Sequence, residues 1–261
     1  NLNFFKDKNN LNRKIVKICC TINIVCRLLQ VQSIFMNVTH IIDSNPLDLS
    51  IVQDVLVHNK KISLSESSKD RIKKCRTYLD HKMTSVLKPI YGINTGFGAL
   101  YNVEIKGENL QKLQENLVMS HACGTGDEVS NEIVKLMLLL KIQSLSYGYS
   151  GVQLATVNRL IDFYNNDIFP VVYEQGSLGA SGDLSPLAHL ALPLIGLGEV
   201  KFKGERISGQ EISERFGWKK INLQSKEGLA LLNGTQFMSA YGIYNLLKAH
   251  KLSYLADLIG T

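Results

Sequence analysis

Apolar residues recur at helical spacing along most of the chain from residue 47 onward, and that spacing predicts a predominantly helical protein. Leu47 to Leu56 and Ser65 to Leu79 read as amphipathic helices, the second opened by the polar run Ser65-Glu66-Ser67-Ser68. Residues 108–119 place Leu110, Leu113, Leu117 and Val118 on one side. Asn131 to Tyr147 is apolar almost all round, with Ile133, Val134, Leu136 to Leu140, Ile142 and Leu145, which marks a buried helix. Val152 to Tyr164 reads as a helix closed before Pro170, Leu184 to Ile195 as another, and Thr235 to Leu258 as one long helix without proline. Strand signal is sparse: Phe169 to Tyr173 is a candidate, and residues 200–207 alternate around Gly204 like a small hairpin. The Gly-rich run 91–98 reads as a loop.

Charge changes this picture little. The chain carries a formal net charge of +6, but residues 1–35 hold six basic residues against the single acid Asp7, and so +5 of that total. The body is nearly neutral, which argues against a basic groove for nucleic acid. Its apolar content of 45% is ordinary for a globule. Residues 1–35 are rich in Asn, Lys and Ile and read as a leader outside the body, with Met36 as the natural start; a basic targeting peptide is the alternative. The apolar run Ile18 to Cys26 is too short to span a bilayer. The five cysteines show no metal-ligand spacing, only Cys75 and Cys123 lie in the body, and the histidines are scattered, so a reducing cytoplasmic setting without metal is expected.

The chemistry concentrates in residues 176–189, Gly-Ser-Leu-Gly-Ala-Ser-Gly-Asp-Leu-Ser-Pro-Leu-Ala-His. Within it, Ala180-Ser181-Gly182 is a triplet small enough for the Gly182 amide nitrogen to attack the Ala180 carbonyl carbon. Loss of two waters, one from the Ser181 hydroxyl, would leave a five-membered ring with an exocyclic methylidene, a stronger electrophile than any ordinary side chain. Asp183 is suited to cap the helix that follows, whose N-terminus would favour negative charge developing on such a ring. The plain alternative is an Asp-capped helix after a small-residue turn.

Segment 176–189 resembles the signature of the aromatic amino acid ammonia-lyases, in which Ala-Ser-Gly becomes the prosthetic group 4-methylidene-imidazol-5-one, MIO. Two further segments resemble the family independently and in its order: Tyr91-Gly92-Ile93-Asn94-Thr95-Gly96-Phe97-Gly98 and Leu231-Leu232-Asn233-Gly234-Thr235-Gln236. The resemblance runs from about Met36 to Thr261. It implies a mainly α, L-aspartase/fumarase-like fold with minor β hairpins, divided into a MIO-bearing catalytic unit at 36–232 and the start of a central helical bundle at 233–261. It also implies a homotetramer, a cytoplasmic enzyme, and MIO as cofactor with no metal and no nucleotide. Family members continue past Thr261 into further bundle helices, so the chain is expected to be truncated, weakly active or inactive alone, and prone to association through the apolar face of 235–258.

By the same resemblance Tyr91 is the general base, although a phenol with an ordinary pKa of about 10 must be activated to act near neutrality. Gly92, Gly96 and Gly98 would let its loop close over substrate, with Gly98 counted among the substrate-binding residues. Asn233 is the active-site asparagine, whose amide can donate to a developing oxyanion, and it can equally cap the helix after Thr235. Ser120-His121 is the pair against the substrate's ring, and Ser-His there resembles the histidine enzymes. The implied reaction is elimination of ammonia from L-histidine to give trans-urocanate. A phenylalanine or tyrosine ammonia-lyase, an aminomutase with the same ring, and an inactive fragment remain as alternatives.

Overall fold

The run predicted to be buried lies at the centre of the molecule. The computed structural model describes residues 39–85, 90–95, 105 and 107–260. In order they form β1 (His40–Ile42), α1 (Leu49–Val57), β2 (Ile62–Leu64), α2 (Glu66–Ser85), α3 (Gly107–His121), β3 (Thr125–Glu128), α4 (Asn131–Ser146) and α5 (Leu154–Asn165). There follow β4 (Phe169–Pro170), β5 (Tyr173–Gln175), α6 (Leu184–Ala191), a 3-10 turn (Leu192–Ile195), β6 (Glu199–Phe202), β7 (Glu205–Ser208), α7 (Gly209–Arg215), α8 (Glu227–Leu232) and α9 (Gln236–Gly260). The mainly helical fold with minor strands is the one the apolar spacing predicts.

Helix α4 is buried on nearly every face, and α5 and α9 pack directly on it. One apolar core runs from Ile42 through α4 and α6 to Ala240. Local chemistry sets the helix starts as predicted for α2, where the Ser65 hydroxyl accepts from the Ser68 amide at 3.2 Å, and likewise for α1, where Asp48 accepts from the Ile51 amide at 2.8 Å.

Two predicted elements break. The helix read over 184–195 is α-helical only to Ala191 and tightens into the 3-10 turn, because Pro193 cannot supply an N–H to the preceding turn. The strand read over 169–173 splits: Phe169–Pro170 pairs antiparallel with β6, while Tyr173–Gln175 pairs antiparallel with β3. The Val171 amide still donates to the Glu199 carbonyl at 2.9 Å, and the Val172 carbonyl accepts from the Val129 amide at 2.9 Å, so the chain changes sheets between these two residues. The 199–208 hairpin forms as expected, with Lys201 opposite Arg206. The parallel pair β1–β2, with His40 beside Ile62, and helices α7 and α8 are additional to the predicted elements. Among the described residues, no helix is long and apolar enough to cross a membrane.

Candidate active site

Three chain segments far apart in sequence meet around the Ala180-Ser181-Gly182 triplet. Helices α3, α6 and α8 pack against one another in pairs, and each carries a predicted motif at or next to its end. Ala180 and Ser181 are exposed, in the bend that leads into α6. Gly182 has φ +104°, and a Cβ there would lie 2.8 Å from the Gly234 carbonyl oxygen and 3.4 Å from Asn233 Oδ1. Only glycine both adopts this backbone and admits so close a neighbour. The Asn233-Gly234 turn is thus seated on the C-terminal residue of the triplet. The Asp183 amide fastens it there by donating to the Gly234 carbonyl at 2.7 Å. The small residues of the triplet and the close seating of Gly234 on Gly182 fit the cyclisation the triplet's chemistry suggests.

Asp183 departs from its expected role as a cap. It occupies the position before α6, yet its carboxylate makes no capping bond to that helix. One oxygen accepts from the Ser177 hydroxyl at 2.8 Å and the other from the Met238 amide at 2.9 Å. Met238 lies in the first turn of α9, so the buried Asp183 satisfies an orphan donor of the long helix instead of its own.

Asn233 is itself held from behind. It ends α8, where the last carbonyls lack partners within the helix. Lys141 of α4, only 1% exposed, reaches them with its Nζ, donating to the Ala230 carbonyl at 3.2 Å and the Asn233 carbonyl at 3.0 Å. Burial pulls its pKa down to about 7, opposed by the charge of Asp183. Lys141 was invisible in the sequence, where it reads as a polar interruption of an apolar run. Its signal is that α4 is buried all round, which leaves a lysine there no route to water.

The Ser120-His121 pair ends α3. The Leu117 carbonyl accepts from the Ser120 hydroxyl at 3.1 Å and lies 2.8 Å from His121 Nδ1. A carbonyl only accepts, so Nδ1 carries hydrogen and Nε2 of the uncharged ring is left as an acceptor. The chain then runs through Gly124, whose amide donates to His189 Nε2 of α6 at 3.0 Å. A Cβ on Gly176 would sit 3.1 Å from the Gly124 Cα, so the strand before the triplet also touches this loop. His189 closes the 176–189 segment and joins it to the loop after Ser120-His121, a function the sequence did not disclose. Burial holds its pKa below the ordinary imidazole value.

Tyr91 lies on a turn closed by Asn94, whose side-chain oxygen accepts from the Ile90 amide at 2.6 Å. Its side chain is 61% exposed. Gly98, predicted for the same loop, and Gly96 lie outside the described residues, as does the 1–35 leader. A 660 Å³ cavity beside Glu128, Lys201 and Arg206 includes none of the predicted site residues. Among the described residues, no group of three or more His, Cys, Asp or Glu side chains could hold a metal ion.

Known proteins resemble this chain in both sequence and fold. Residues 47–261 match the family model described as aromatic amino acid lyase. Over 221 residues the chain is 45% identical to a histidine ammonia-lyase of Caldanaerobacter subterraneus subsp. tengcongensis, covering 85% of this chain and 43% of the relative. The chain therefore spans less than half the length of the curated relatives it matches. Among solved structures, histidine ammonia-lyase from Trypanosoma cruzi superposes with a TM-score of 0.77 at 33% identity, covering 84% of this chain and 43% of that one. The phenylalanine aminomutase of Pantoea agglomerans superposes with a TM-score of 0.75 at 31% identity, covering 83% of this chain and 42% of that one.

Proposed function

The chain belongs to the aromatic amino acid lyase family, and on that premise we propose that it is the triplet-bearing portion, residues 36–232 with the first bundle helix from 233, of a histidine ammonia-lyase. The reaction is non-oxidative elimination of ammonia from L-histidine to give trans-urocanate. The observation that carries this reading is the seating of Asn233-Gly234 on Gly182, which brings two of the family-like motifs into contact at the residues the chemistry needs. The Ser-His pair at 120–121 and the names of the relatives favour histidine as substrate.

Residues Ala180, Ser181 and Gly182 would become MIO, which supplies an electrophile for the substrate amine and so makes nitrogen a better leaving group. The rest falls to ordinary side chains. Tyr91 takes the β-hydrogen of the substrate as general base. Asn233 offers amide hydrogens to developing negative charge. Asp183 supports the triplet by fixing the turn opposite it and the start of α9. His121, with Nδ1 engaged by Leu117, presents Nε2 as acceptor for an imidazole N–H of the substrate, with Ser120 beside it; the family resemblance adds Gly98 to the substrate-binding residues. The protein acts on a small amino acid as a cytoplasmic homotetramer, without metal or nucleotide, and without a nucleic acid or membrane partner.

The test is ammonia release from L-histidine, L-phenylalanine and L-tyrosine in parallel, using the longest in-frame polypeptide that contains these residues. Release from histidine alone, with a urocanate absorbance band, is the expected result. Release only from the other two overturns the substrate, a β-amino acid among the products makes the protein an aminomutase, and no release from any overturns the reading.

A further inference from the structure

The site described so far is bounded by residues that can touch substrate or ring. Lys141 touches neither, yet it is a fully buried lysine whose amino group is spent on the end of the helix that presents Asn233. Burying a lysine is costly, and apolar side chains surround this one on α4 at Met137, Leu138, Leu145 and Ile142. Met or Leu would fill the same space without burying an amino group but would take a donor from the Ala230 and Asn233 carbonyls, so the role of the lysine lies at the end of α8.

We infer that Lys141 is a positioning residue for the proposed elimination: its amino group clamps the Ala230 and Asn233 carbonyls and thereby holds the Asn233 side chain and the Gly234 backbone against Gly182. The turn is gripped at both ends. Lys141 binds the carbonyl side of Asn233, while Asp183 binds the far side through the Gly234 carbonyl and the Met238 amide. Between these anchors the chain has one residue of unusual freedom, Gly234 with φ +146°. Release of the Lys141 end would free the Asn233 carbonyl and leave the residue held from the N-terminal side by its amide's bond to the Leu229 carbonyl at 2.9 Å, so the turn could shift about Gly234. The Asn233 amide would then leave the triplet even though helices α4, α6 and α9 stay packed.

This inference rests on the reading of Asn233 and the triplet given above, and its test separates the two. Lys141→Met keeps the volume and removes the donors, and Lys141→Arg keeps donors. Both are made in the longest in-frame polypeptide, with circular dichroism melts to establish that they fold. Hydrogen exchange in Lys141→Met is expected to quicken about tenfold across residues 229–236 and to stay unchanged in 131–146. The kcat for ammonia release is expected to fall about a hundredfold with KM nearly constant, the pattern of a misplaced group rather than lost binding. Lys141→Arg is expected to recover part of both. Unchanged exchange across 229–236 in a folded Lys141→Met protein overturns the clamp, and unchanged kcat overturns its service to the reaction. If the unmutated protein neither loses two waters from peptide 176–189 nor releases ammonia, the functional reading fails, while the exchange result still decides the clamp. If Lys141→Met does not fold, exchange and kcat of Lys141→Arg decide instead: values equal to those of Lys141→Ala overturn the inference.

Discussion

His189 Nε2 accepts the amide hydrogen of Gly124 at 3.0 Å, so a single hydrogen bond ties the helix after the triplet to the loop after Ser120-His121. A backbone amide can only donate, which requires Nε2 to be unprotonated. The fold thereby makes the relative placement of two motifs depend on the state of one imidazole. Edge-on contact with the Tyr173 ring fixes the plane of that imidazole.

The pH dependence of this link has a definite sign. Burial lowers the His189 pKa in the folded chain below the ordinary imidazole value of 6.5. In the window between the two values the unfolded chain binds a proton that the folded chain does not, so stability rises with pH there. The contribution is present above about 6.5 and is lost as pH falls through the folded value. Urea melts of the unmutated protein and His189→Gln should converge on acidification from pH about 7.5 to 5. A difference between them that is constant across this range counts against the link.

Gly182→Ala should be costly for two separable reasons. The left-handed backbone strains any Cβ-bearing residue, and this Cβ would meet the Gly234 carbonyl at 2.8 Å. Gly179→Ala is the control, with φ +78° but nothing within 4 Å of its Cβ. We expect losses of about 1 kcal/mol at 179 and about 3 kcal/mol at 182 by chemical denaturation. We also expect peptide 176–189 to keep both waters only in the second variant.

Asp183→Ala removes an acceptor from two donors, one of them the Met238 amide in the first turn of α9. The expected cost is about 2 kcal/mol, with faster exchange at residues 236–240. Asp183→Asn retains one carbonyl oxygen and should lose about half as much. Equal losses in the two variants would show that charge, not capping, is what Asp183 supplies.

Most of the fold was legible because its signals are periodic. The all-round apolar run 131–147 could only be a buried helix, and 200–207 alternates around a glycine turn. The parallel pair β1–β2 was not legible, since three residues per strand cannot display an alternation and the partners lie either side of α1. Thr125–Glu128 forms a strand with no apolar residue. Its Glu128 is secured by Lys201 and Arg206 of the hairpin, a long-range ion-pair cluster without a local trace. The same limit applies at the site. Motif spacing picked out Ala180-Ser181-Gly182 and Asn233, but an aspartate before a helix reads as that helix's cap whichever helix it serves. A lysine inside an apolar run does not declare which carbonyls it will meet.

Lys141 supplies the last prediction, because its titration opposes intuition about alkaline conditions. Burial draws its folded pKa down to about 7, while the unfolded side chain keeps the ordinary lysine value of 10.5. Below pH about 7 both states hold the proton and the folded chain bears a buried ammonium. Between about 7 and about 10.5 the unfolded chain binds the proton and the folded chain does not, so raising the pH stabilises the fold relative to Lys141→Met. The neutral amine still donates to the Ala230 and Asn233 carbonyls, so the hold on Asn233 survives the loss of charge. Asp183→Asn removes the carboxylate that holds the Lys141 pKa up, and should move the onset of this gain to lower pH. Denaturant titrations of the unmutated protein, Lys141→Met, Asp183→Asn and the double variant from pH 6 to 10 check both statements. A stability difference between the unmutated protein and Lys141→Met that stays flat over this range would mean that the lysine reaches water in solution.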